Sequence, residues 1–195
     1  MLFAMIMGMP VVLIPIQILL INLVTDGLPA IALSMEPATD DIMKMPPRKS
    51  NESIFAGRMM RSIIIRGLAI GICTLCVFSI VLSSHGVPAA RTAAMATLGL
   101  SQLIFVFECK STFRSSGRGS EKREKSRGIF NADYRNNPHL VLASLTSAVI
   151  IFAAMLSSFM SPVLQTVPLD GNTIMIVVAF AAGLPVVRGL WKLVS

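Results

Sequence analysis

Five stretches of this chain run almost without charge for about the length a helix needs to cross a lipid bilayer, and no other feature constrains the fold as much. They are residues 11–33, 67–84, 92–107, 140–160 and 172–193. A hydrocarbon core about 30 Å thick takes roughly 20 helical residues to cross. Within lipid every backbone polar group must find a partner inside the protein, so a lone strand cannot span. The near-continuous apolar runs also lack the alternation of a barrel strand. The reading is all-α: a polytopic transmembrane helix bundle of five spans plus an N-terminal half-helix. Arg188 and Lys192 lie at the end of the last run, where long side chains can snorkel to the interface.

Composition agrees. Hydrophobic residues make up 54% of the chain and charged ones 14%, against about 45–50% and 25% in soluble domains. Three cysteines (Cys73, Cys76 and Cys109) cannot build a disulfide framework, and two of them lie within an apolar run. The net charge of +7 raises the possibility of a nucleic-acid partner. The positive charges, however, sit between the apolar segments, and no RNA- or DNA-binding motif is present, so no nucleic acid is expected. Sixteen of the 17 basic residues flank or fill alternate connections or end the chain, and only Arg91 lies on the opposite side. The positive-inside rule then places the C-terminus and both long loops in the cytosol.

The two long loops differ. Residues 34–58 carry EPATDDIMKMPPRKSNES, a mixed acidic, proline and basic segment suited to docking. Residues 110–137 include STFRSSGRGSEKREKSRG, a basic, serine- and glycine-rich tract read as a flexible cytosolic loop. The chain opens with nine apolar residues, MLFAMIMGM, before Pro10; that is about 14 Å of helix, half a span. It has no basic n-region of a signal peptide, so residues 1–9 are expected to be the stub of a helix belonging to a longer protein.

The chemistry is concentrated in IQILLINLVTDGLPAIAL. Asn22, Thr25 and Asp26 follow i, i+3, i+4 spacing, which in an α-helix puts three oxygen-bearing side chains on one face. An Asp at the centre of a span costs about 2.5–3.5 kcal/mol on insertion scales, so an embedded carboxylate implies a function. Pro29 cannot donate to the carbonyl of Thr25, and Gly27 loosens the backbone beside it, so the helix is expected to unwind here and expose carbonyls. Carboxylate, amide, hydroxyl and carbonyl oxygens form a hard ligand set suited to Ca²⁺. The alternative is interhelical hydrogen-bond glue with Asp26 paired to a cationic side chain. The spans offer no obvious Lys or Arg as that partner. Gly67 and Gly71 form a G-x-x-x-G pattern expected to permit close packing within the molecule.

The stretch LIPIQILLINLVTDGLPAIALSMEPATDDIMKMPPR, with its N-x-x-T-D-G-L-P core and D-I-M-x-x-P-P-R loop, resembles the sixth transmembrane helix and following loop of the type II P-type Ca²⁺-transporting ATPases. The remainder is similar to the last four helices of those pumps, with TLGLSQLIFVFECKS as the eighth and residues 1–9 as the end of the fifth. The resemblance implies a cation-transporting P-type ATPase C-terminal membrane domain. It further implies Asn22, Thr25 and Asp26 as ligands of transported Ca²⁺ and Asp40, Asp41 and Arg48 as the docking surface for the phosphorylation domain. ATP and Mg²⁺ would be used only by domains this chain lacks, so the chain alone is not expected to hydrolyse ATP. One departure matters: Gln102 stands where the eighth helix of two-site pumps carries an acidic residue. As Glu108 lies six residues and about 9 Å further on, this departure implies one ion per cycle, with Gln102 at most a weak ligand. The localisation implied is a bacterial cell membrane. A non-enzymatic scaffold or helper subunit retaining the pump fold is the alternative.

Overall fold

The computed structural model describes residues 1–35, 58–116, 138–157 and 160–194. Asp40, Asp41, Arg48 and most of the basic tract lie outside the described residues. Among the described residues every regular element is helical.

The N-terminal half-helix α1 (Leu2–Ile6) ends before Pro10 is reached. Gly8 adopts φ 68°, a conformation that only glycine takes without strain. Its N–H bonds the carbonyl of Met5 at 3.0 Å, and Met9 bonds that of Ala4 at 2.9 Å. This double closure satisfies the last carbonyls of the helix. Pro15 then sets the next boundary. A residue before proline is driven out of the helical region, and Ile14 is extended at φ −86°, ψ 158°, so α2 (Pro15–Ile21) starts with proline in its first turn. A π-helical turn, Asn22–Gly27, joins α2 to α3 (Leu28–Ser34).

Helix α4 (Arg58–Ser116) has 59 residues and would be about 88 Å long if straight. It is not straight. Gly86 has φ 79° and ψ −179°, and the Arg66 guanidinium lies 4.7 Å from the ring centroid of Phe105. A straight helix would hold those two residues about 58 Å apart, so α4 folds back on itself at Gly86 as an antiparallel hairpin. The connection expected over residues 85–91 is thereby compressed to a single reversal. No glycine or proline follows Gly99 until Gly117, which is why the second limb continues to Ser116, past the expected end near residue 107. The chain then runs through α5 (Pro138–Leu156), the short α6 (Ser161–Leu164) and α7 (Gly171–Val194).

Three helices, Pro15–Ser34, Ile63–Phe107 and Pro138–Leu156, are long and apolar enough to cross a membrane. Large apolar side chains on their outer faces are exposed, among them Leu19, Leu23, Leu142 and Leu145, a surface suited to lipid rather than water. This is a multi-pass membrane helix bundle.

The α4 hairpin packs mainly on α7 and α5. Phe78, Met95, Met155 and Val177 are fully buried in this core. Ala89, Ala90, Ala93, Ala94 and Ala96 are buried beside them, and such small residues let helix backbones approach where lipid offers no hydrophobic drive. Among the described glycines the tightest surroundings are at Gly99, where a Cβ would lie 2.8 Å from Cδ1 of Ile151 and 3.5 Å from Cγ2 of Thr25. Among the described residues the G-x-x-x-G pair does not play the packing role expected of it, since none of them lies within 4 Å of a Cβ placed on Gly67 or Gly71.

Polar side chains clasp the end of the bundle near Gly86. Buried Gln17 donates to the Leu164 carbonyl at 3.1 Å and accepts from the Ile14 N–H at 3.3 Å. Arg91 donates to the Val11 carbonyl at 2.8 Å, the Val167 N–H donates to Thr92 at 3.0 Å, and His85 meets Asp170 at 3.2 Å. Together these links tie α2, α4 and the α5–α7 connection, leaving the π-helical turn further down the same bundle.

Candidate cation site

The backbone at Asn22–Gly27 does not unwind; it widens. In a π-helical turn each N–H reaches back five residues instead of four. Counted forward in that register, the carbonyl of Val24 looks to residue 29, which is a proline without an N–H. The orphaned acceptor is therefore at Val24 rather than at Thr25, as α-helical counting gives. Ser147 on α5 fills the gap, its hydroxyl donating to the Val24 carbonyl at 2.6 Å in a buried contact. The chain thus tolerates Pro29 by changing helical register and taking one hydrogen bond from a neighbouring helix.

The widened turn also separates side chains that α-helical spacing would align. Thr25 is fully buried, whereas Asn22 and Asp26 are exposed in this chain. With more residues per turn, the i+3 position falls short of the face shared by i and i+4. Thr25 Oγ1 lies 2.8 Å from the Ile21 carbonyl and 2.6 Å from Oε1 of Gln102. One hydroxyl proton cannot serve two acceptors. The set is complete when Thr25 donates to Ile21 and Gln102 turns its amide NH₂ toward Thr25, which frees the amide oxygen.

Thr25, Asp26 and Gln102 line one cavity of about 450 Å³, whose other walls include Pro29, Leu33, Arg66 and Phe105. Asn22 is not among its lining residues. Of the four candidate ligands, the fold therefore brings three together and leaves Asn22 on the outer face. Asp26 neither accepts a hydrogen bond from nor forms an ion pair with any described residue. Among the described residues no three His, Cys, Asp or Glu side chains gather to hold a metal. Any cation here would meet one carboxylate and neutral oxygens.

Two participants escape the reading of the sequence. Arg66 counts there as a loop-flanking charge, yet it lies within the apolar helix that begins at Ile63 and lines the same cavity as Asp26. A cationic side chain therefore does line the Asp26 cavity, which the expectation missed, although Asp26 forms no ion pair with any described residue. The signal was the three isoleucines, Ile63 to Ile65, that precede Arg66. For Ser147 the signal is a pair of serines, Ser144 and Ser147, at i, i+3 in a helix whose other polar residues are His139 and Thr146 alone.

Among the described residues, this multi-pass bundle sets one carboxylate, Asp26, on a largely apolar cavity between its helices, and a carboxylate so placed in a membrane domain marks a path for cations. The cation transporting ATPase, C-terminus family matches residues 10–194, and the chain belongs to that family. A calcium-transporting ATPase of Bacillus subtilis is 36% identical over 184 residues, covering 93% of this chain and 19% of that relative. A calcium-transporting ATPase of Listeria monocytogenes is 58% identical over 60 residues, 31% of this chain and 7% of its own length. An endoplasmic reticulum-type calcium-transporting ATPase of Arabidopsis thaliana is 45% identical over 74 residues, 38% of this chain and 7% of its own length. The chain thus spans less than a fifth of the relatives it matches.

Proposed function

We propose that this chain forms the C-terminal ion-translocating part of an ATP-driven Ca²⁺ pump and contributes one side of its intramembrane cation site. The observation that carries the reading is the Asp26 carboxylate, set in a π-helical turn and opening with Thr25 and Gln102 on one cavity. Ca²⁺ takes six to eight oxygens, more than these residues supply, so further ligands come from helices outside this chain. Asn22, on the outer face beside Asp26, is placed to complete the shell against such a helix. Ca²⁺ here is the transported substrate. ATP and Mg²⁺ act in the domains that phosphorylate the pump, which dock on the segment holding Asp40, Asp41 and Arg48.

In this reading the two limbs of α4 are separate spans, which with α2–α3, α5 and α7 makes five, and α1 is the end of a preceding helix. The basic connections and the C-terminus face the cytosol of a bacterial cell, and the Gly86 end faces outward. Because the only charge among Thr25, Asp26 and Gln102 is a single carboxylate, one Ca²⁺ binds per cycle. Two divalent ions side by side repel strongly in a low-dielectric site, and a neutral amide at Gln102 does little to offset that. Equilibrium ⁴⁵Ca²⁺ binding to the complete pump, normalised to phosphorylated enzyme, is expected to give one ion per site. A value of two would refute the single-ion assignment.

A further inference from the structure

The reversal of α4 at Gly86 brings together charges that lie far apart in the chain. Two observations set the register of the hairpin. A turn at Gly86 makes neighbours of positions equally far from it on either side, and the Arg66 guanidinium stacks on the Phe105 ring at 4.7 Å. In that register position 61 lies level with position 110, and position 58 with positions 113 and 114. The open end of the hairpin therefore carries Arg58 and Arg61 on one limb and Lys110 and Arg114 on the other, against one acid, Glu108. The depth of these four is informative. The apolar stretch of α4 runs from Ile63 to Phe107, and all four basic residues lie two to seven residues beyond its ends, about 3–10 Å along a helix. The headgroup layer flanking a hydrocarbon core is about 5–8 Å deep, so the cluster stands at the level of the lipid phosphates.

Resting on the reading of the two limbs as separate spans, we infer that the open end of the α4 hairpin is a binding site for the headgroup of an anionic phospholipid. Arg58, Arg61, Lys110 and Arg114 supply the charge that holds it. Four basic residues directly beside a span are enough to recruit anionic lipid, and each adds about fivefold to the attraction. Arginine contributes geometry as well, since its planar fork matches two phosphate oxygens at once. A loop of the same charge attracts anionic lipid only diffusely. Here the two arms are fixed opposite each other by one helical hairpin, which offers a single phosphate charge from both sides. The bound lipid would tie the two limbs together at the end of the hairpin that no turn closes.

The test is lipid titration of the full chain in detergent micelles, with bound lipid counted by native mass spectrometry. Phosphatidylglycerol is expected to bind at least about tenfold more tightly than zwitterionic phosphatidylcholine. The double variant Arg61→Gln/Lys110→Gln is expected to lose about tenfold or more of that affinity while its lipid-free unfolding midpoint stays that of the parent. Arg58→Gln/Arg114→Gln probes the same end independently should the first pair fold poorly. Lys122→Gln/Lys125→Gln removes equal charge from the neighbouring basic tract and is expected to change the affinity by less than about twofold. Equal losses from the hairpin and tract variants, or equal binding of the two lipids, would overturn the site. Displacement of the lipid by glycerol 3-phosphate would also overturn it, in favour of a soluble phosphate ligand. The two-span reading is checked apart from calcium or lipid, by an impermeant thiol reagent on sealed vesicles. Cys109 and a cysteine introduced by Ser84→Cys, near Gly86, are expected to react from opposite sides. Reaction from one side would sink the two-span reading and the headgroup site with it, whereas loss of lipid preference alone would sink only the site.

Discussion

Asp26→Asn is expected to abolish Ca²⁺-dependent phosphorylation of the complete pump at micromolar calcium, through a loss of Ca²⁺ affinity of about 100-fold or more, some 2.7 kcal/mol. Asparagine preserves the shape of the side chain and one oxygen, so the π-helical turn and the Thr25–Gln102 contact (2.6 Å) should persist. What disappears is the single negative charge among the cavity's polar ligands, and the affinity of an oxygen site for Ca²⁺ is tuned above all by its charge count. Dehydrating a divalent ion in a membrane interior has no other compensation on this wall. The variant should remain folded in the membrane, which separates loss of a ligand from loss of structure. Unaltered calcium dependence of phosphorylation would leave Asp26 as interhelical glue.

A second large effect is expected at a residue that touches no ion. Ser147→Ala removes the hydroxyl that donates to the Val24 carbonyl at 2.6 Å. Val24 is 4% exposed, so water cannot take over, and the π register offers only Pro29 in its place. Leaving a buried acceptor unsatisfied costs about 1–3 kcal/mol, enough to raise the unfolded fraction by up to roughly 100-fold. The expected outcome is a lower unfolding midpoint together with weakened calcium binding, because the turn that carries Asp26 loses its external tether. Ser147→Thr, which restores a hydroxyl, should recover part of both. If Ser147→Ala is as stable as the parent, Val24 has found another donor and the register account of Pro29 is wrong.

The parts of this architecture that depend on local chain chemistry were legible before any coordinates. Apolar runs of near-span length, the embedded Asp26 and the neighbouring Gly27 and Pro29 mark the site helix without reference to its partners. What could not be read is what depends on register and on distant contacts. An α-helical count places Asn22, Thr25 and Asp26 on one face, but a π turn spends an extra residue, burying Thr25 and leaving the other two exposed. The G-x-x-x-G at Gly67 and Gly71 suggested a packing seam, yet glycine spacing alone does not say which face meets a neighbour; the tight contact formed at Gly99 instead. By sequence alone Arg66 belongs with the loop charges, because charge near a span end ordinarily belongs to water. Only the fold-back of α4 at Gly86 reveals that it lines the cavity of Asp26.

The proposed function rests finally on whether calcium moves through this bundle. ATP-driven ⁴⁵Ca²⁺ uptake into inside-out membrane vesicles, with the complete pump carrying either the parent chain or its Asp26→Asn variant, measures that directly. The account predicts concentrative uptake with the parent chain and uptake at background with the variant. Equal uptake by both, or none with the parent under conditions where the pump is phosphorylated, would contradict it.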